Sequence, residues 1–176
     1  KSISEVVKEL RYKLTEAGIS SKYDNTETKR PGEKFAQHEL QGVPLRITIG
    51  PKDLENSSVE IYRRDTLEKQ FIQIDKSVEH VLKLLDEIQD NLFKKALSFR
   101  DENITEVDNF EDFKNILETK GGFISAHWDG TDETENKIKE LTKATIRCIP
   151  EVVKSSGKCV YSGQPSDQRV LFAKAY

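Results

Sequence analysis

The sequence is short of the residues that build metal and thiol chemistry. It has two cysteines, Cys148 and Cys159, and three histidines, His38, His80 and His127. With no signal-peptide core in residues 1–20, the two cysteines read as free thiols in a reducing, cytoplasmic setting. No apolar run approaches transmembrane length, so no membrane partner is expected. The formal net charge of −3 gives no bulk attraction to nucleic acid, so any such contact must come from a local patch. There is no glycine-rich phosphate cradle, no Ser-His-Asp order, no internal repeat and no low-complexity tract. No catalytic residue is therefore expected in this chain. A hydrophobic fraction of 35% against a charged fraction of 34% is low for a compact enzyme. The length suits one large domain or two small ones.

What is present is well punctuated. Residues 2–17 read as a helix opened by a Ser2/Glu5 capping box, with an apolar stripe of Ile3, Val6, Val7, Leu10 and Leu14 and a stop at Gly18. Residues 19–23 read as a short strand. A polar loop follows to Pro31, which suits the first turn of another helix. The stretch FAQHELQGVPLRITIGPKDL, residues 35–54, then gives a short helix, a turn at Gly42 and a strand with Val43, Leu45, Ile47 and Ile49 on one face. A Gly50-Pro51 turn ends it. Residues 59–63 and 70–74 read as a hairpin around the charged turn 64–69. Helix, strand, helix, strand, hairpin implies an α/β mixed sheet with parallel strands crossed over by helices.

Residues 75–102 carry one long helical pattern of roughly 40 Å at 1.5 Å per residue, which suggests a bridge between two modules. Beyond it come a helix around Phe110, Phe113, Ile116 and Leu117, a strand over 123–128, a helix over 134–142, and strands over 145–149 and 169–173. Residues 155–158 and 162–168 read as turns. The expected division is 1–75, a connecting helix over 76–105, and a small α+β module over 106–176.

Glu39, Arg46, Lys52 and Asp53 are the polar residues of the central stretch, two acceptors and two donors, with Phe35 as a stacking surface. Guanine offers N1–H and an amine to a carboxylate, and O6 and N7 to Arg or Lys. The same residues equally allow a plain Arg46–Asp53 ion pair with Lys52 a solvated lysine. Lys29, Arg30, Lys34, Arg63, Arg64 and Lys69 are candidate phosphate contacts. His38 is placed to face the same ligand.

The stretch FAQHELQGVPLRITIGPKDLEN resembles the anticodon-binding domain of class II aminoacyl-tRNA synthetases, most closely prolyl-tRNA synthetase of the archaeal and eukaryotic type. RRDTLEK, IQDNLFKKALSFRDENITEVD, ATIRCIP and the terminal FAKAY continue the likeness over nearly the whole chain. It implies that Phe35, Glu39, Arg46, Lys52 and Asp53 contact the two guanines shared by all proline anticodons. It implies tRNA(Pro) as partner, an upstream catalytic domain using ATP and Mg, a homodimeric parent, and Tyr176 docking toward that catalytic domain. It also implies a strand before the first helix, which this sequence does not include, and so a fragment of a longer protein, inactive alone.

Many proteins resembling this one hold zinc in their C-terminal module with C-x4-C and C-x2-C. Those positions fall here on Asp129, Thr134, Cys159 and Ser162. Only one is a thiolate donor, so no zinc is expected. Asp129 and Ser162 are expected to hold the turns by hydrogen bonds to local N–H groups instead, and His127 to be packed rather than ligating. Two other readings stay open: a stand-alone interaction or regulatory module built on the synthetase fold, and a metal-dependent module using Cys148 and Cys159.

Overall fold

The computed structural model describes residues 2–151 and 154–175. The chain divides into two compact units, Lys1–Lys95 and Ala96–Tyr176.

The first unit opens with α1 (Ile3–Glu16), capped as its sequence predicts: Ser2 N–H donates to Glu5 and Glu5 N–H to the Ser2 hydroxyl. Gly18, at φ +79°, reverses the chain, and Ile19 N–H reaches back to the Leu14 carbonyl at 2.9 Å. This six-to-one bond makes Ile19 the apolar clasp of a Schellman ending. It explains why the strand expected over 19–23 is absent. The apolar residues there seal a helix end, and among the described residues none ladders with them.

The second helix, α2 (Pro31–Leu40), begins at Pro31 as expected and ends the same way, with Gly42 at φ +80° and Val43 N–H bonded to His38 O. Val43 is consumed by that ending, so β1 starts only at Leu45 and runs Leu45–Thr48. The Gly50-Pro51 turn is in fact the start of a five-residue helix, α3 (Pro51–Glu55). The expected hairpin follows as β2 (Ser58–Arg63) and β3 (Lys69–Gln73). The order is β1-β2-β3 with both pairings antiparallel, so among the described residues the parallel crossovers expected in this unit do not occur. Leu10 and Leu14 of α1, Val59 and Ile61 of β2, and Val81 and Leu84 of the long helix α4 (Ser77–Glu102) fill one face of the sheet.

The mixed sheet lies in the second unit. Its order is β4 (Ile104–Glu106), β5 (Phe123–His127), β8 (Pro165–Lys174), β6 (Ala144–Cys148), with β7 (Lys154–Lys158) paired to β8. The β4–β5 pair is parallel and the others antiparallel. With α5 (Phe110–Thr119) and α6 (Asp132–Thr142) the unit buries Phe113, Ile124, Ile138, Val170 and Phe172. Helices and a mixed sheet place the chain in the α/β class, as the sequence implied. Residues 155–158 are strand, not turn, and β8 begins within the expected turn 162–168. Among the described residues, no helix is long and apolar enough to cross a membrane. Tyr176, given a docking role above, lies outside the described residues.

Candidate nucleic-acid interface

The outer face of the first unit's sheet carries the predicted cluster. In antiparallel pairing, directly opposed residues share a face. Arg46 of β1 lies opposite Tyr62 of β2, on the side away from Leu45, Ile47, Val59 and Ile61. Phe35 comes down from α2 on the other side of Arg46. The guanidinium is thereby clamped between two rings, 3.7 Å from the Phe35 centroid and 4.3 Å from that of Tyr62. Such contacts contribute roughly 0.5–2 kcal/mol each.

Arg46 Nη1 donates to Glu39 Oε1 at 2.9 Å. The Arg46 side chain is only 15% exposed, while that of Glu39 is 41% exposed. Arg46 Nε is buried without an acceptor among the described residues, a cost of about 1–3 kcal/mol that polar groups at functional sites often carry. The ion pair open to Arg46 is therefore made with Glu39, not with Asp53. The division of labour is unequal. Arg46 is spent on the protein, while the more exposed Glu39 has one oxygen bonded to it.

Asp53 sits on α3 with one carboxylate oxygen accepting from Gly50 N–H at 2.8 Å, capping that helix. Lys52 is exposed, and no partner is found for it among the described residues. Phe35 is half-buried with one face covered by Arg46. Tyr62 was missed by the sequence reading. Its signal was an aromatic at a polar-face position of an alternating strand.

The flanking residues are mostly engaged. His38 turns to Asp24 at 2.9 Å and Gln41 at 3.2 Å, which ties α2 to the preceding loop. That contact with His38, with bonds from Thr26, holds the Asp24 carboxyl well below the usual carboxylate range. Lys34 pairs with Asp24 and Lys29 donates to Gln37. Arg63, offered above as a phosphate contact, is corrected. It is buried and binds both oxygens of Asp65 at 3.1 and 2.9 Å and Glu87 at 3.0 Å. It bolts the hairpin to α4 and cannot reach a ligand. Lys69 pairs with Glu60, while Arg64 is exposed.

In the second unit two of the four positions named above from the zinc pattern, Thr134 and Ser162, converge on a third, Asp129. Its carboxylate accepts from Ser162 Oγ at 2.5 Å, Thr134 Oγ1 at 2.8 Å, Thr131 Oγ1 at 2.9 Å and Thr131 N at 3.1 Å. Burial pushes this carboxyl's pKa up, and the bonds from Ser162, Thr134 and Thr131 outweigh it, bringing it down to about 2. Ser162 in turn accepts from Gln164 N. The fourth position, Cys159, is a buried free thiol. Hydroxyls that aim their hydrogens at a carboxylate do not fit a structural zinc site, which wants thiolate or imidazole lone pairs. The hydrogen bonds of Asp129 instead link the start of α6 to the turn before β8. His127 is packed, with Ser155 and Ser166 on its two ring nitrogens and Gly157 against it.

Residues 1–84 match the family described as "Anticodon binding domain", and residues 110–176 match "Prolyl-tRNA synthetase, C-terminal". The proline--tRNA ligase of Christiangramia forsetii is 61% identical over 175 residues, covering 99% of this chain and 36% of the relative. That of Flavobacterium johnsoniae is 59% identical with the same coverage. That of Phocaeicola vulgatus is 54% identical over 180 residues, covering all of this chain and 36% of the relative. The chain thus spans about a third of the length of these relatives. It belongs to the prolyl-tRNA synthetase family and corresponds to that family's anticodon-binding and C-terminal domains.

Proposed function

We propose that this chain selects proline tRNA by reading the two guanines of its anticodon, as the non-catalytic C-terminal part of a proline--tRNA ligase. Glu39 carries the reading. One oxygen is held by Arg46, which is itself locked between Phe35 and Tyr62. The other oxygen is left as an acceptor on a side chain 41% exposed, suited to guanine N1–H and the exocyclic amine. Lys52 serves O6, N7 or a phosphate. Arg46 acts chiefly by positioning Glu39, and Asp53 by shaping α3, so the five residues divide into presenters and holders.

The parent would join proline to tRNA through an adenylate at the expense of ATP with Mg, in an upstream catalytic domain. It would act in the cytoplasm as a homodimer formed through regions outside this chain. The archaeal and eukaryotic subtype is part of the same reading. The locked Arg46–Glu39 pair is the observation that most favours it over a surface of solvated charges, which would not be stacked and buried.

The test is a titration of the full chain with tRNA carrying the proline anticodon, then with either guanine replaced. Each replacement is expected to cost about tenfold or more in affinity. Equal binding of all anticodons would reject the reading.

A further inference from the structure

The outer sheet face does not end at the Arg46 clamp. The pairing sets two adjacent rows across it: Arg46, Tyr62 and Lys69, then Thr48, Glu60 and Phe71. Phe71 lies on the edge strand β3 and is 65% exposed. Phe35 and Tyr62 each have a face covered by the guanidinium. Of the three rings Phe71 is the exposed one, the other two being half-buried. Two strand spacings place it roughly 10 Å from β1, a span that nucleotides flanking a bound pair of bases can cover.

We propose that Phe71 is a stacking platform for a further unpaired base of the RNA loop, outside the two guanines. This rests on the anticodon reading above. A single ring among Thr48, Glu60, Lys69 and Gln73 is not a contiguous apolar patch of several hundred Å², which a protein partner would need. It is what a base needs: a flat apolar face with a cation near the backbone path. Lys69 supplies the cation. Its ammonium bonds Glu60 at 3.1 Å while the side chain stays 53% exposed, leaving donors for a phosphate. Stacking discriminates little between bases. Phe71 therefore adds affinity, and Glu39 adds selectivity.

The experiment uses the full chain and stem-loops carrying the proline anticodon, intact or with one loop nucleotide at a time made abasic. Phe71→Thr keeps a strand-forming residue, and Phe71→Trp keeps the ring. Phe71→Thr should weaken the intact loop about tenfold and leave guanine discrimination unchanged, while Phe71→Trp binds like wild type. At one abasic position the Phe71→Thr penalty should vanish. The proposal is overturned if Phe71→Thr binds the intact loop like wild type. It is equally overturned if the penalty survives undiminished at every abasic position, as a protein contact or a fold defect would produce. Loops bound without guanine discrimination would overturn the Glu39 reading instead, and the abasic series would still decide Phe71.

Discussion

Replacing Asp129 by alanine asks whether one carboxylate holds the turns around it. Asp129 gathers Thr131 and Thr134 at the start of α6 and Ser162 in the turn before β8. Hydrogen bonds to a charged acceptor are worth about 1.5–3 kcal/mol each, and less where water can replace the partner. Ser162 is exposed and recovers water, whereas Thr134 is buried and is left with an unmet hydroxyl. The net loss should be about 2–4 kcal/mol. For a unit of this size that lowers the melting midpoint by roughly 10–25 °C. Trp128, the only tryptophan, donates its indole N–H to Thr131 O at 3.1 Å, so its fluorescence reports on the hub. Urea titration followed at Trp128 should show a lower midpoint with an unchanged slope. Asp129→Asn keeps one acceptor oxygen and should fall between. If Asp129→Ala shifts stability by less than about 0.5 kcal/mol, the range of an ordinary surface substitution, the hub is not what clamps these turns.

Three further outcomes follow from the same geometry. Arg46→Lys replaces a planar stacked fork by a point charge. It should cost about 1–2 kcal/mol of stability and weaken guanine discrimination, read by thermal melting and tRNA titration. Gly157→Ala would put a Cβ 2.3 Å from His127 Nε2, against a ring held inside the unit. A loss of about 1–3 kcal/mol is expected, and an unchanged melt would show that β7 slides away freely. Acid should loosen the first unit through Asp65. The Arg63 guanidinium, with help from Asn91, outweighs burial and brings its carboxyl from 3.8 down to about 2. The unfolded state then binds the proton more readily, so the stabilisation is complete above about pH 4 and is lost as pH falls toward 2. Asp65→Asn should flatten that part of the stability profile in circular-dichroism titrations.

Local grammar was readable where one residue and its neighbours decide the outcome. The Ser2/Glu5 box, Pro31 and the β2–β3 hairpin are of this kind. Residues 19–23 misled because apolar residues after a glycine can seal a helix end as well as start a strand, and only a pairing partner tells the two apart. β7 was invisible because Ser-Ser-Gly-Lys has no alternating apolar signal. It is a strand because Gly157 lets the chain pass close over His127. In the interface, residue types were legible but their commitments were not. The Arg46 clamp needs Tyr62 from the next strand and Phe35 from the preceding helix, and the register that unites them is a property of the folded sheet. The Asp129 hub came closer. Asp129, Thr134 and Ser162 were named from the resemblance, but Thr131 was not, and Ser162 and Thr134 turned out to serve the carboxylate itself.

The most direct measurement removes one atom group from the RNA and one side chain from the protein. Either anticodon guanine is replaced in turn by inosine, which lacks only the exocyclic amine, and binding is compared for wild type and Glu39→Ala. At one of the two positions wild type should lose roughly tenfold in affinity, the scale of a specific base-edge contact, and Glu39→Ala should bind both RNAs alike. If wild type holds guanine and inosine equally at both positions, or if Glu39→Ala still tells them apart, the carboxylate set out by Arg46 is not the reader.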